Sequence, residues 1–377
     1  MNVLCDFDAC ERSFYFSFNR KSQLSSLFSP SIMVNVVCLG NPLLDIQVQS
    51  TPEYLEKYGL KANDAVLASP EQMAIYPEAM ADPNVLLVAG GAAQNTARGV
   101  AYVLPAESVA YFGSVGKDVY SEKLLEANQK AGVVTKYQYQ TEHHTGKCAV
   151  LLTGKNRSLV TDLNAANHFT AAHLKLAENW KLVEEAKTFY VGGFHFTVCV
   201  DAIKLLGEHA AETNKTFGVN LSAPFVCQFF KDAVDSTSQY WDYLICNESE
   251  AAAYGESHEL GSDLETIAKH IALLPKKNTE KKRTVIITQG LDDTIVVVGD
   301  VTNNTTEKKV FPVISLDQKL VVDTNGAGDA FAGGYVAALA ENKDLEYAVG
   351  QGHWLASLGI QQAGASYPSE KHTYKGN

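Results

Sequence analysis

Continuous apolar runs, each closed by a turn or a polar residue, punctuate the chain. "MVNVVCLGN" (33–41), "VLLVAGG" (85–91), "TFYVGGFHF" (188–196), "TFGVNLS" (216–222), "YWDYLICN" (240–247) and "RTVIITQG" (283–290) read as buried strands. Between them "AENWKLVEEAK" (177–187), "VCVDAIKLLGEHAAET" (198–213) and "ESEAAAYG" (248–255) carry helical patterns. Continuous apolar strands alternating with helices predict an α/β fold, a central and mainly parallel sheet flanked by helices on both faces. In such folds ligands lie beyond the carboxyl ends of the strands, so the polar residues that end these runs point toward one site.

Two stretches break the rhythm. Residues 42–91 begin "PLLDIQVQ" and alternate like half-exposed strands, and residues 141–166, "TEHHTGKCAVLLTGKNRSLVTDLNAA", alternate again around glycine turns. Together they predict one small antiparallel sheet, a lid set into the main domain. The expected division is 34–43, 92–141 and 167–368 for the large α/β domain, 44–91 and 142–166 for the small lid, and 369–377 for a tail. Residues 1–33 are expected to form a poorly ordered extension. Its Asp6, Asp8 and Glu11 stand where a secretory signal tolerates no acids, and a second methionine, Met33, directly precedes the first strand. The readings open for it are a dispensable or mis-started extension and a weak targeting peptide.

Composition narrows the class. At 377 residues, 46% hydrophobic and 20% charged, the chain can bury a large core. A net charge of −12, with no basic stripe beyond "PKKNTEKKR" (275–283), argues against nucleic-acid binding. Anionic ligands must then be held by local dipoles and a few placed cations. Seven scattered cysteines, at 5, 10, 38, 148, 199, 227 and 246, without CxxC or zinc spacing, predict reduced thiols in a cytoplasmic protein. No apolar run is long enough to span a bilayer.

The candidate chemistry lies near the carboxyl end, in "LVVDTNGAGDAFAGGYVAAL" (320–339). A strand leading into Gly326-Ala327-Gly328 and then a helix leaves backbone amides free at the helix start, where aligned dipoles favour an anion. Asp329 in the first helical turn is, by itself, ordinary helix electrostatics. The bend lacks the lysine of a Walker loop, and "GSVGKD" (113–118) has the wrong spacing for one. Nor is it an early Gly-x-Gly-x-x-Gly, which argues against a nicotinamide oxidoreductase. A phosphate cradle with an adjacent carboxylate suits a kinase, whose acid accepts the attacking hydroxyl's proton.

"DTNGAGDAFAGG" closely resembles the C-terminal signature of the ribokinase-like (PfkB) carbohydrate kinases. "GNPLLD" (40–45), "AGGAAQN" (89–95), "TGKNRSL" (153–159), "NLSAPF" (220–225), "NESEAA" (247–252) and "TQG" (288–290) resemble segments of the family members that phosphorylate purine nucleosides. The likeness runs from about residue 34 to 368. It implies a ribokinase-like fold with a small β-sheet lid, and ATP-dependent phosphorylation of the adenosine 5′-hydroxyl giving AMP and ADP. A sugar, inosine or guanosine as acceptor is the alternative, and a catalytically silent nucleoside-binding protein a more distant one.

The resemblance also assigns residues. Asp329 takes the role of general base, with Gly326, Ala327 and Gly328 as an anion hole and Arg157 as the lid arginine that reaches the phosphates. Asn41, Asp45, Gly90, Gly91, Asn95 and Asn325 fall where the family holds the sugar, and Leu43, Leu67, Cys148, Phe194 and Phe225 where it packs the base. Asn247, Thr288, Gly290 and His353 are assigned to ATP, together with Gly326 and Gly328. Asn247 and Glu250 would organise Mg²⁺ through water. Taken singly, Gly90-Gly91 is a plain turn, the apolar residues are ordinary core and a lone arginine is a surface charge. His195 receives no function. Ala92-Ala93 departs from the family pattern, where a hydroxyl residue is common. The implied partners are adenosine and ATP, with no nucleic acid or membrane, in a monomer located in the cytoplasm and also in the nucleus.

Overall fold

A computed structural model describes residues 33–62, 64–154 and 156–376. The expected extension, apart from Met33, and Cys5 and Cys10 within it, lie outside the described residues. Among them fourteen strands form two sheets. They are Val36–Leu39 (β1), Leu43–Gln49 (β2), Ala65–Leu67 (β3), Leu86–Gly90 (β4), Val109–Gly116 (β5), Val134–Gln140 (β6), Lys147–Thr153 (β7) and Asn156–Asp162 (β8). Thr188–Val191 (β9), Thr216–Asn220 (β10), Tyr243–Asn247 (β11), Arg283–Gln289 (β12), Asp292–Asp300 (β13) and Thr305–Phe311 (β14) complete them.

The large sheet has the order β14-β13-β12-β11-β10-β9-β1-β5-β6. Every neighbour from β12 to β6 is parallel, and the hairpin strands β13 and β14 add an antiparallel edge. Five of the six apolar runs form β1, β9, β10, β11 and β12 and are continuous because both faces are covered; the sixth, 85–91, is not a buried strand but β4, at the edge of the small sheet, with Leu86 53% exposed. Successive strand residues point to opposite faces, so Val37 and Leu39 join one core while Val36 and Cys38 join the other. Val200–Glu212, Glu248–Ser257 and Leu264–Ala272 pack on the first face. Ala92–Val103, Ala327–Ala340 and Leu345–Gly359 pack on the second. The chain leaves β1 for β5 on one side and returns to β9 on the other. The crevice at the carboxyl end of β1 is therefore a topological switch point, where open α/β sheets bind ligands.

The small sheet, β3-β8-β7-β2-β4, is mixed, not antiparallel as its alternation suggested. β2 pairs with β7 in parallel and β3 with β8 in parallel. The reason is connectivity: a long excursion through the large sheet separates β2 from β7, and only a tight hairpin, as at β7–β8, forces antiparallel pairing. Period-two alternation buries Ile46, Ala149 and Val160 under the helices Pro52–Lys57 and Ile75–Met80. The opposite face carries Asp45, Cys148, Leu159 and Thr161 toward the cleft.

A second expectation fails at the bend. "LVV" before Asp323 is not a strand: residues 320–322 have no sheet partner, and Leu320 and Val322 are 50% and 64% exposed. The amides of Val322 and Asp323 bond instead to the Ile360 carbonyl, at 2.9 and 3.1 Å, past the end of the Leu345–Gly359 helix. Three apolar residues match a strand's pattern, but the amides where the run ends are taken up at a helix end and not by a strand.

Candidate active site

Two contiguous clefts open at the carboxyl end of the large sheet, under the small one. The first, about 830 Å³ of empty space, is mostly apolar and is lined by Leu43, Leu67, Cys148, Leu159, Phe194 and Phe225, with Asp45 at one end. The second, about 930 Å³, is lined by Arg157, Asn247, Glu250, Thr288 and the Gly326–Asp329 turn. Asn325 and Asp329 border both. Residues far apart in the chain thus meet as the strand-end reading required, because Asn41, Asn220, Asn247 and Thr288 each sit at or just beyond the end of β1, β10, β11 or β12.

Asp45 is placed by register. It pairs with Cys148 across β2–β7, and Cys148 pairs with Thr161 across β7–β8, so one row of side chains crosses the cleft face. The approach of Asp45 to the neighbouring strand explains Gly90, where a Cβ would overlap the carboxylate. Gly91 caps the Ala92–Val103 helix at φ 91°, a conformation that glycine adopts at no steric cost, and a Cβ there would collide with the Asn41 carbonyl. Burial pushes the Asp45 carboxyl up to about 7, opposed by the charges of Arg98 and Arg157 and reinforced by Asp329.

Asp329 stands in the first turn of the Ala327–Ala340 helix, which begins from Gly326 at φ 73°. The Ala330 amide is the one that closes on the Gly326 carbonyl, at 2.7 Å. The amides of Gly328 and Asp329 precede it and have no acceptor within the helix. Asn95 Nδ2 donates to Asp329 Oδ2 at 2.8 Å. Burial raises the Asp329 carboxyl to about 6, against the Asn95 hydrogen bond and the Arg98 charge. A carboxylate tuned upward and set beside free amides can take a proton from an alcohol while the amides hold an anion.

Arg157, on β8 of the small sheet, lines the second cleft and pairs with Asp323, just ahead of the bend. Asp323 also accepts from the amides of Asn325 at 2.8 Å and Gly364 at 2.9 Å, which fixes the chain just ahead of the bend. Asn247 and Glu250 form a reciprocal cap: Glu250 accepts from the Asn247 amide at 3.0 Å and from Nδ2 at 2.9 Å. Burial lifts Glu250 to about 7, and the Asn247 backbone bond opposes the shift. Asn41 Nδ2 donates to the Phe194 carbonyl at 3.1 Å, leaving its Oδ1 to accept from His195 Nδ1 at 2.8 Å. His195 is fully buried and held by burial down to about 3, so it is a neutral imidazole that orients Asn41.

Gly290, in the β12–β13 turn at φ 61°, and His353, buried and bonded to Thr294 at 2.9 Å, line neither cleft. Several residues without an expected role do belong to the site. Leu159 and Thr161 line the first cleft, and Asn220 and Ser222 the second. Ser222 adopts φ 64°, its hydroxyl accepting from Gly193 at 2.8 Å and its amide donating to Asn220 Oδ1 at 2.7 Å. Arg98 lies behind the site, 8% exposed. Its signal was legible: a lone charge in "AAQNTARGVAYV", otherwise small, apolar or uncharged. Among the described residues no group of three or more His, Cys, Asp or Glu could hold a metal ion, and no helix is long and apolar enough to cross a membrane.

Comparison with known proteins agrees with this geometry. The pfkB family carbohydrate kinase model matches residues 52–372. Over 346 residues the chain is 53% identical to an adenosine kinase of Saccharomyces cerevisiae, covering 90% of this chain and 98% of that protein. An adenosine kinase of Schizosaccharomyces pombe is 47% identical, with 89% and 97% covered. Among solved structures, Anopheles gambiae adenosine kinase in complex with P1,P4-di(adenosine-5) tetraphosphate superposes with a TM-score of 0.84 at 40% identity, covering 89% of this chain and 98% of that one. An apolar cleft that holds Asp45 and meets a helix start at Asp329, together with these matches, places the chain in the pfkB family of carbohydrate kinases, on its adenosine kinase branch.

Proposed function

We propose that the chain transfers the γ-phosphoryl group of ATP to the 5′-hydroxyl of adenosine, giving AMP and ADP. One observation carries this reading: Asp329 stands at the junction of the two clefts, with an apolar slot on one side and a helix start on the other. Asp329 is the general base. The amides of Gly326, Gly328 and Asp329 stabilise charge on the phosphoryl in flight, where preorganised donors act most strongly; the Ala327 amide, expected among them, donates instead to the Thr324 carbonyl at 3.3 Å. Asp45 receives the ribose hydroxyls, a carboxylate matching a vicinal diol, with Asn41, Asn95 and Asn325 as further polar contacts and Gly90 and Gly91 leaving room for the sugar. Leu43, Leu67, Cys148, Phe194 and Phe225 enclose the base. A ligand with adenosine at both ends of a phosphate chain, as held by the mosquito relative, has the form that two contiguous clefts accept.

Arg157 supplies a planar fork for phosphate oxygens from the small sheet, which we assign as a lid comprising 44–91 and 142–166. Thr288 and Asn247 border the triphosphate. The donor set near the phosphates fits Mg²⁺ held through water: one carboxylate and one amide, tied to each other, are too few for a protein cage. Asn247 and Glu250 would hold the ion's waters, and the ion would neutralise phosphate charge. We place the enzyme, as a monomer, in the cytoplasm and the nucleus, acting on small molecules and not on nucleic acid; the acidic charge of −12 supports the last point.

The test offers purified protein MgATP with adenosine, inosine, guanosine, ribose and fructose separately. AMP that forms with the wild type and disappears in Asp329→Ala is the expected result. A phosphorylated sugar with adenosine untouched would overturn the assignment.

A further inference from the structure

Behind the catalytic aspartate runs a buried polar chain that the reaction scheme leaves unused. Arg98 Nη2 donates to Asn95 Oδ1 and, at 2.6 Å, to the Ala89 carbonyl of β4. Its Nη1 donates to Asn128 Oδ1 at 3.3 Å. Asn128 Nδ2 in turn reaches Gln94 Oε1 at 3.0 Å and the Tyr137 hydroxyl at 3.2 Å, and Gln94 Nε2 donates to the Gly90 carbonyl at 2.8 Å. The network ties the helix bearing Asn95 to the strand beneath Asp45.

Two features need explaining. A buried cation is costly unless compensated, yet the hydrogen bonds of Arg98 to Asn128, Ala89 and Asn95 all go to neutral oxygens. The carboxylates that face it are Asp45 and Asp329, so its charge is balanced through space by the two acids of the cleft. The second feature is the orientation of Asn95. With Oδ1 taken by Arg98, the amide can present only its NH₂ to Asp329, and an NH₂ needs an acceptor oxygen. That arrangement suits the ionised carboxylate.

We propose that Arg98 is a positioning residue for phosphoryl transfer: it holds Asn95 amide-first against Asp329, and its buried charge lets Asp329 and Asp45 be ionised side by side. The inference rests on the reading of Asp329 as general base. The other groups facing Asp329 are Asp45 from β2, Tyr190 from β9, Glu250 from the Glu248–Ser257 helix and Tyr367 from the segment after the last helix. These are acids or phenols, which cannot supply the compensating charge; Arg157 from β8 faces Asp45 as a second cation, but Arg98 is the one that faces both carboxylates. Burial pushes Asp329 up to about 6 and Asp45 up to about 7, and Arg98 opposes both shifts.

The experiment is the pH dependence of kcat and kcat/KM for adenosine at saturating MgATP, from about pH 5 to about 9, in wild type, Arg98→Lys and Arg98→Gln. Arg98→Gln keeps a donor for Asn95 but removes the charge. Its acid midpoint should rise by about one pH unit, so its deficit deepens about tenfold on the acid side relative to the basic plateau. Arg98→Lys keeps the charge but cannot span Asn95 and Ala89 with one fork. It should retain the wild-type midpoint with kcat lowered equally at every pH and KM unchanged. An unmoved midpoint in Arg98→Gln, a midpoint in Arg98→Lys that moves as far as that of Arg98→Gln, or an Arg98→Lys enzyme identical to wild type overturns the inference. Should thermal melting show Arg98→Gln unfolded, Arg98→Lys decides alone: a lowered kcat at an unmoved midpoint supports the role, and a shifted midpoint overturns it. No AMP from the wild type overturns the reading of Asp329 and the inference with it; AMP from the wild type with an unmoved variant midpoint overturns the inference only.

Discussion

Two carboxylates share one cleft, and burial treats them alike while their surroundings give them different work. Asp329 meets an amide donor and the start of a helix, and Asp45 meets a glycine strand and an apolar row. Because burial lifts Asp329 to about 6, the basic form prevails above that pH and is lost below it. kcat/KM for adenosine should therefore fall as pH drops through about 7, where Asp45 takes up a proton, and more steeply through about 6, where Asp329 does, measured in the free enzyme's pH profile. Asp329→Asn should lower kcat about 10²–10⁴-fold with little change in KM, the range for a missing general base. Asp45→Ala removes charged hydrogen bonds to the sugar and should raise the adenosine KM on the order of tenfold to a hundredfold, with a smaller effect on kcat. Equal losses of kcat in both variants would contradict the division of labour.

At the scale of elements, strand ends and helix starts make the site, and two of the helix starts share one device. Gly91 and Gly326 each begin a helix from a positive φ, and both helices deliver a residue to the cleft, Asn95 or Asp329. Gly91→Ala forces a Cβ against the Asn41 carbonyl in a strained conformation and should cost about 1–3 kcal/mol, read as a lower melting temperature. The pair between Arg157 and Asp323 joins the small sheet to the bend. Arg157→Ala should lower kcat about 10²–10³-fold, as for removal of one preorganised donor to transition-state charge, measured at saturating ATP. An effect confined to KM for ATP would assign Arg157 to binding alone.

For the whole molecule, every residue of the two clefts lies within Met33–Asn377, one compact unit. A chain beginning at Met33 should keep the kcat and melting temperature of the full chain, and a lost activity would give residues 1–32 a part in catalysis. Periodicity alone was enough to announce the parallel sheet, because strands buried on both faces must be apolar throughout. The Asp329 bend was equally legible, since turn glycines followed by an acid are a local pattern. The pairing of the small sheet and the fate of residues 320–322 were not local. Which edges are within reach depends on chain connections that span a hundred residues, and an apolar triplet looks the same with a partner as without one. Arg98 shows the limit most clearly: its type and position were in plain view, but the two carboxylates whose charge reaches it come from β2 and the Ala327–Ala340 helix, and only folding brings a cation from one element near carboxylates from two others.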